Sequence, residues 1–239
     1  MRTIFFILVL GVIASAWAAH VFLGGLAEDE EMVIRRQFAE SVQAIETGAE
    51  SGDTESQTEL GLLYLTAHEL VRDPAQAVAW FTRAAKKGNP KAQFLLGRQY
   101  EEGVGTRLNY QQAARWYDRA AKVGRYPDAE YALGSLYSRG LGVGYDNAVA
   151  MEWYRKAAEG GQPIAQYLVG RMQEAGYGVR VDLIQAFMWY SLANKARDRV
   201  LAENSEYDPA KALGRLEALM NQNQKDTAAK LSQQWKPTH

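Results

Sequence analysis

The stretch AQFLLGRQY, residues 92–100, decides the fold, because it reads as helix yet carries Gly97 in its middle. A glycine inside a helix costs about 1 kcal/mol relative to alanine. The same misfit recurs at Gly61 in TELGLLY, Gly134 in YALGSLY and Gly170 in YLVGRMQ, at steps of 36, 37 and 36 residues. A cost incurred four times in register has one common cause, and a repeat of this length indicates stacked supersecondary units.

Aligning the four glycines aligns the rest of the chain. Twelve residues after each comes Asp73, Asn109, Asp146 or Asp182, residue types whose side-chain oxygens cap helix N-termini. Gln76, Gln112 and Gln185 follow three positions later and predict capping boxes; Val149 breaks that pattern in the third repeat. Nineteen residues after each glycine stands Trp80, Trp116, Trp153 or Trp189, and one helical turn further Ala84, Ala120, Ala157 or Ala193. Pro90, Pro127 and Pro163 suit the first turn of a helix. Gly103, Gly140 and Gly176 suit left-handed helix ends, and Gly88, Gly124 and Gly161 suit the turns between repeats.

Each repeat is therefore expected to be helix A, a glycine-rich turn, then helix B, with short links making the two helices antiparallel. The glycine would leave helix A bare so that helix B lies close, with the tryptophan and small alanine of helix B filling the seam. The expected fold is all-α: a solenoid of four helix pairs over 52–197 (52–87, 88–123, 124–160 and 161–197). A capping helix at 28–51 and capping helices at 198–239 flank it, since solenoids need polar ends. Residues 30–47 carry one apolar stripe like a lone helix B, and 208–235 read as a closing helix pair, joined by an irregular link at Asn204 to Tyr207.

At these residues the sequence resembles the Sel1-like repeat family, relatives of the tetratricopeptide repeats. AEYALGSLYSRGLGV (129–143) with DNAVAMEWYRKAAEGG (146–161) matches best, and AQFLLGRQYEEGVG with NYQQAARWYDRAAKVG is close. The fourth repeat, AQYLVGRMQEAGYGV then DLIQAFMWYSLA, departs at Gln173 and Asn194. The first has AHELV (67–71) where Gly-x-Gly-Val is expected. The resemblance implies scaffold roles such as assembly of secretion or polysaccharide-export machinery, motility complexes or signalling regulation. Taken with the chain's residue inventory, the expectation is a protein-binding scaffold of the cell envelope without a cofactor or catalytic residues.

The start of the chain is a separate segment. No Asp, Glu, Lys or Arg occurs from Thr3 to Ala27, and IFFILVLGVIASAWAAHVFLGG is long enough to cross about 30 Å of hydrocarbon. Two readings stand. One is a retained inner-membrane anchor; the other is a cleaved signal peptide, with small-x-small sites at Ala14-Ser15-Ala16 and Ala16-Trp17-Ala18. Arg2 before the run and the acidic Glu28 to Glu31 after it leave the start in the cytoplasm. The remainder is placed outside, in the periplasm for the anchored form, or soluble in the periplasm or secreted after cleavage.

Of 239 residues none is cysteine and three are histidine, and the net charge is −1. Disulfides, thiolate metal sites and cysteine nucleophiles are excluded, and nothing draws the chain as a whole to nucleic acid. His68 lies in an expected turn, His239 ends the sequence and His20 lies in the apolar run, so neither a zinc site nor a Ser-His-Asp arrangement is supported. GLGVG (140–144) lacks the preceding strand and following Lys-Ser/Thr of a phosphate loop.

Binding is expected on helix A. Positions three before and one after each glycine lie near one another on that helix. They give Thr58, Phe94, Tyr131 and Tyr167 beside Leu62, Arg98, Ser135 and Arg171. Phe94, Tyr131, Tyr167, Arg98 and Arg171 are the candidate partner-binding residues, since aromatics and arginine dominate binding hot spots. Packing between repeats is the competing role for the aromatics. The alternative function is an enzyme or small-ligand binder of the envelope using carboxylates or tyrosines.

Overall fold

The computed structural model describes residues 28–66, 72–177 and 179–238. The apolar run at 3–27, His20, His68 and His239 lie outside the described residues, as does the AHELV turn. Among the described residues every regular element is a helix: α1 Glu28–Ser51, α2 Thr54–Thr66, α3 Pro74–Lys86, α4 Pro90–Glu102, α5 Tyr110–Lys122, α6 Pro127–Arg139, α7 Asn147–Glu159, α8 Pro163–Ala175, α9 Leu183–Asn194, α10 Arg197–Glu203, α11 Pro209–Leu219 and α12 Gln222–Gln234. None of them is long and apolar enough to cross a membrane. The chain divides into two compact bodies between Asn109 and Tyr110.

The local signals act as their chemistry requires. Pro90, Pro127 and Pro163 open α4, α6 and α8, where the missing N–H has no partner to lose. Gly103, Gly140 and Gly176 close those helices at φ of 70°, 65° and 73°. Asp73, Asp146 and Asp182 cap α3, α7 and α9 by accepting from backbone N–H groups at 3.0 Å.

The expected capping boxes do not form at Gln76 and Gln185, for a reason the backbone supplies. The cap residue's own N–H is already engaged by a carbonyl of the preceding helix A. Asp73 donates to Tyr64, Asp146 to Tyr137 and Asp182 to Gln173, at 2.9, 3.1 and 2.9 Å. Asn109 donates likewise to Tyr100 at 2.8 Å. Each acceptor stands three residues after a repeat glycine, so this bond ties the end of helix A to the start of helix B. A reciprocal box forms instead at Asn221 and Gln224, where α12 begins.

A second tie links successive repeats. The side-chain amides of Gln57, Gln93 and Gln166, each four residues before a repeat glycine, donate to the carbonyls of Ala49, Ala85 and Ala158 in the last turn of the preceding helix. Glu130 occupies the corresponding place in α6 and is also buried.

In the first body α2 packs on α1 and α3, and α3 on α4, around buried Leu60, Phe81, Leu95 and Leu96. In the second, α6 packs on α5 and α7, and α8 on α7 and α9. The closing pair α11 and α12 then lies against α9. Ala84, Ala120, Ala157 and Ala193 are fully buried, as expected of the small residue in a helix seam.

The aromatic that fills the seam is not the tryptophan. A Cβ on Gly61 would meet Phe81 at 2.5 Å, one on Gly134 would meet Tyr154 at 2.9 Å, and one on Gly170 would meet Tyr190 at 2.9 Å. The ring over the glycine belongs to the residue after the tryptophan. One residue turns a helix by about 100°, which carries the indole off the seam. Trp80 and Trp116 are half-exposed, whereas Trp153 and Trp189 are buried. Arg83, Arg119 and Lys156, three residues further along each helix, place their cationic groups 4.2, 4.7 and 4.1 Å from the indole centroids of Trp80, Trp116 and Trp153. In the fourth repeat that position is Leu192, and Trp235 at the end of α12 meets Trp189 edge-on at 6.4 Å.

The turn between the second and third repeats also differs from expectation. Gly88 and Gly161 take φ of 96° and 92°, but Gly124 does not supply the left-handed residue; Arg125 does, at φ 45°. The one-residue insertion behind the 37-residue step moves the turn along the chain. The following cap, Tyr126, makes no side-chain capping bond to α6.

Candidate protein-docking surface

The five candidate residues fall in both bodies. In the first, α4 carries half-buried Phe94 and exposed Arg98. The Arg98 guanidinium pairs with Glu102 one turn on at 3.0 Å, with both side chains about half exposed, a geometry that adds little stability. Thr58, the counterpart of Phe94, is fully buried and bonded to its own helix.

In the second body α6 and α8 present Tyr131, Tyr167 and Arg171. Tyr131 packs on Tyr154 of α7 at 5.8 Å between ring centroids. Its hydroxyl donates to the Glu203 carboxylate at 2.7 Å. Tyr167 lies against Tyr190 at 5.3 Å and stacks on Tyr207 at 5.0 Å, with 24° between the rings. The Arg171 guanidinium stands 5.6 Å from the Tyr207 ring centroid.

These side chains therefore hold a segment of their own chain, α10 and the link that follows it. Arg199 of α10 pairs with Asp128 of α6, and Val200 is fully buried in the core around Tyr167 and Tyr190. The segment's ends are drawn together by a bidentate pair from Arg197 to Asp208, at 3.0 and 2.9 Å. Asp208 also caps α11 through Ala210 and Lys211. The Arg197 guanidinium, helped by those backbone N–H groups, lowers the Asp208 carboxyl to about 2.

Burial dominates the electrostatics of the tyrosines. It raises the Tyr131 and Tyr190 hydroxyls far above the ordinary tyrosine range, and the Glu203 and Glu174 carboxylates that accept their hydrogen bonds raise them further. Tyr154 and Tyr167 are raised by the same desolvation. Neutral phenols held in this way bind through ring faces and hydroxyl donors and make poor bases. Among the described residues no group of three His, Asp or Glu side chains could hold a metal ion.

The repeat alignment pointed to Tyr131, Tyr167 and Arg171 but missed their counterparts. Tyr154 and Tyr190 carry a signal, because the residue after every repeat tryptophan is Phe or Tyr: Phe81, Tyr117, Tyr154, Tyr190. Arg199, Glu203 and Tyr207 lie beyond the last periodic position and carry none.

The Sel1 repeat pattern matches residues 54–89, 90–124, 127–162 and 163–198. Among solved structures, c5321, a protective antigen present in uropathogenic Escherichia coli strains and displaying an SLR fold, superposes with a TM-score of 0.67 at 30% identity. That alignment covers 91% of this chain and 44% of that one. A Sel1 repeat protein from Oxalobacter formigenes superposes with a TM-score of 0.62 at 34% identity, covering 80% of this chain and 59% of that one. The chain thus spans less than two thirds of the length of either structure. No curated protein matches it.

Proposed function

The chain belongs to the Sel1 repeat family, and we propose that it is a non-catalytic scaffold that binds an envelope protein or peptide outside the cytoplasm through its helix-A surface. Proteins built from Sel1 repeats generally mediate protein–protein interaction. The observation that carries the reading is the way Tyr131, Tyr167 and Asp128 hold α10 and Tyr207. A ring stack, a hydroxyl–carboxylate bond and an ion pair seat a short helix there. A surface that seats one peptide segment of its own chain has the chemistry to seat another. The extracytoplasmic location rests on the apolar run from Thr3 to Ala27 and the charges that flank it.

Affinity capture with the full chain tests the binding role, comparing the wild type with an Arg98→Glu, Arg171→Glu double variant. Both arginines are exposed, so the variant is expected to fold. A partner retained by the wild type and lost by the variant supports the reading. Retention unchanged by both charge reversals places binding elsewhere. Cell fractionation with intact mass of the mature chain tests the location and whether residues 1–27 persist.

A further inference from the structure

Tyr131 and Tyr167 are spent on the chain's own C-terminal segment, but Arg171 also borders an open cleft. That cleft, of about 620 Å³, lies between the start of α7 and the end of α8. Met151 and Tyr154 of α7 face Leu168 and Met172 of α8, Asn147 lies at one end, and the exposed Tyr177 stands at the rim. Two further exposed apolar side chains adjoin it. Tyr145 accepts a hydrogen bond from Asn147 at 2.6 Å, and Val181 sits beside Gly176 next to Tyr177.

The cleft's electrostatics are one-sided. Arg171 is the one charged residue of its lining; beside its contact with the Tyr207 ring, none of the ion pairs among the described residues includes it. Glu174, one turn along the same helix, is taken by Arg215 and by the Tyr190 hydroxyl. The two methionines are flexible and polarisable, and they adapt to side chains of varied shape.

We propose that this cleft is the specificity pocket of the docking surface and that it takes a peptide segment with a bulky aliphatic or aromatic side chain beside an Asp or Glu. The apolar side chain fills the space between Met151 and Met172, and its neighbouring carboxylate meets the Arg171 guanidinium. The cleft's volume suits the side chains of a few residues. The inference rests on the scaffold reading above and names the chemistry of its partner.

The test is methyl NMR of the full chain labelled at methionine, with Met151→Leu and Met172→Leu assigning the two cleft signals. The probes are three synthetic peptides: acetyl-Glu-Leu-Leu-Glu-amide and its counterparts with glutamine or lysine in place of glutamate. The acidic peptide is expected to shift the Met151 and Met172 methyls with a Kd at or below about 1 mM. The glutamine and lysine peptides should bind at least about 10-fold more weakly, and Arg171→Glu should weaken the acidic peptide by at least as much. Unmoved signals from the other methionines show that the variant remains folded.

No shift with the acidic peptide at about 5 mM, equal shifts with all three peptides, or binding indifferent to Arg171→Glu each overturn the proposal. Its failure is separable from that of the scaffold reading. Capture of a partner that depends on Arg98 and Arg171 without any methyl shift removes only the pocket chemistry. Methyl shifts without any captured partner remove only the scaffold role.

Discussion

Gly170 lies beneath the ring of Tyr190, so closely that a Cβ added there would stand 2.9 Å from both Cδ1 and Cε1. The ring cannot move aside, because Tyr190 is fully buried and its hydroxyl is fixed to Glu174 at 2.6 Å. Alanine would gain about 1 kcal/mol in helix propensity and lose about 1–3 kcal/mol to overpacking. Gly170→Ala is therefore expected to destabilise. Gly214, exposed within α11 with nothing within 4 Å of its added Cβ, is the control, and Gly214→Ala should stabilise by up to about 1 kcal/mol. Urea unfolding of both variants checks the contrast; stabilisation at Gly170 would refute the close-packing account.

Arg125 adopts φ 45° where Gly88 and Gly161 sit at 96° and 92°. A non-glycine residue in the left-handed region costs about 1–2 kcal/mol, partly offset by the greater freedom glycine has in the unfolded chain. Arg125→Gly should raise the melting temperature, with a gain of up to about 1 kcal/mol. A lower melting temperature would mean that the arginine side chain contributes more than its backbone strain costs.

The raised Tyr131 and Tyr190 hydroxyls predict a stability loss at high pH. Both are held neutral in the fold, while an unfolded tyrosine ionises near pH 10. Their contribution is complete below pH 10 and is lost as the pH climbs above it. Of the 13 tyrosines, these two should ionise only as the protein unfolds, read as phenolate absorbance against circular dichroism. Tyr190→Phe should cost about 1–2 kcal/mol near neutrality, with a deficit that narrows above pH 10. Smooth titration of every tyrosine near pH 10 with the helices intact would contradict this.

Asp208 behaves in the opposite sense. Its folded-state carboxyl titrates at about 2, below the ordinary aspartate value, chiefly because of Arg197. The stability it supplies is present above about pH 4 and drains away as the pH falls toward 2. Asp208→Asn should cost about 1–3 kcal/mol at pH 7, and the difference should shrink as the pH falls toward 2 and vanish below it. A deficit independent of pH would show that the cap, which asparagine retains in part, matters more than the ion pair.

The helix pairs were legible because their signals are local and repeated: proline at the first turn, aspartate at the cap, glycine at the left-handed end. Three things were not. Tryptophan and Phe or Tyr stand side by side in every repeat, and periodicity alone does not say which of two neighbours 100° apart faces the glycine. The capping boxes at Gln76 and Gln185 look complete in sequence, but a carbonyl three residues past the repeat glycine claims the Asp73 and Asp182 N–H they need. Helix α10 carries no repeat signal, because Arg197–Glu203 is a single short run with two large apolar residues, Val200 and Leu201. Its contacts with Asp128 and Tyr131 span 71 and 72 residues. Tyr131, Tyr167 and Arg171 are legible from the repeat register, Tyr154 and Tyr190 share that register but stand beside the tryptophan, and Arg199, Glu203 and Tyr207 lie outside it.

The meeting of Trp189 with Trp235 bears on how such an array can grow. Three indoles are sheltered by a cation on their own helix, so duplicating any of those hairpins would carry the shelter along with it. The fourth has Leu192 in that place and borrows its cover from the tail. Lengthening the protein by copying its last hairpin would leave two indoles contending for one Trp235. Insertion upstream of Leu183 is the easier evolutionary route.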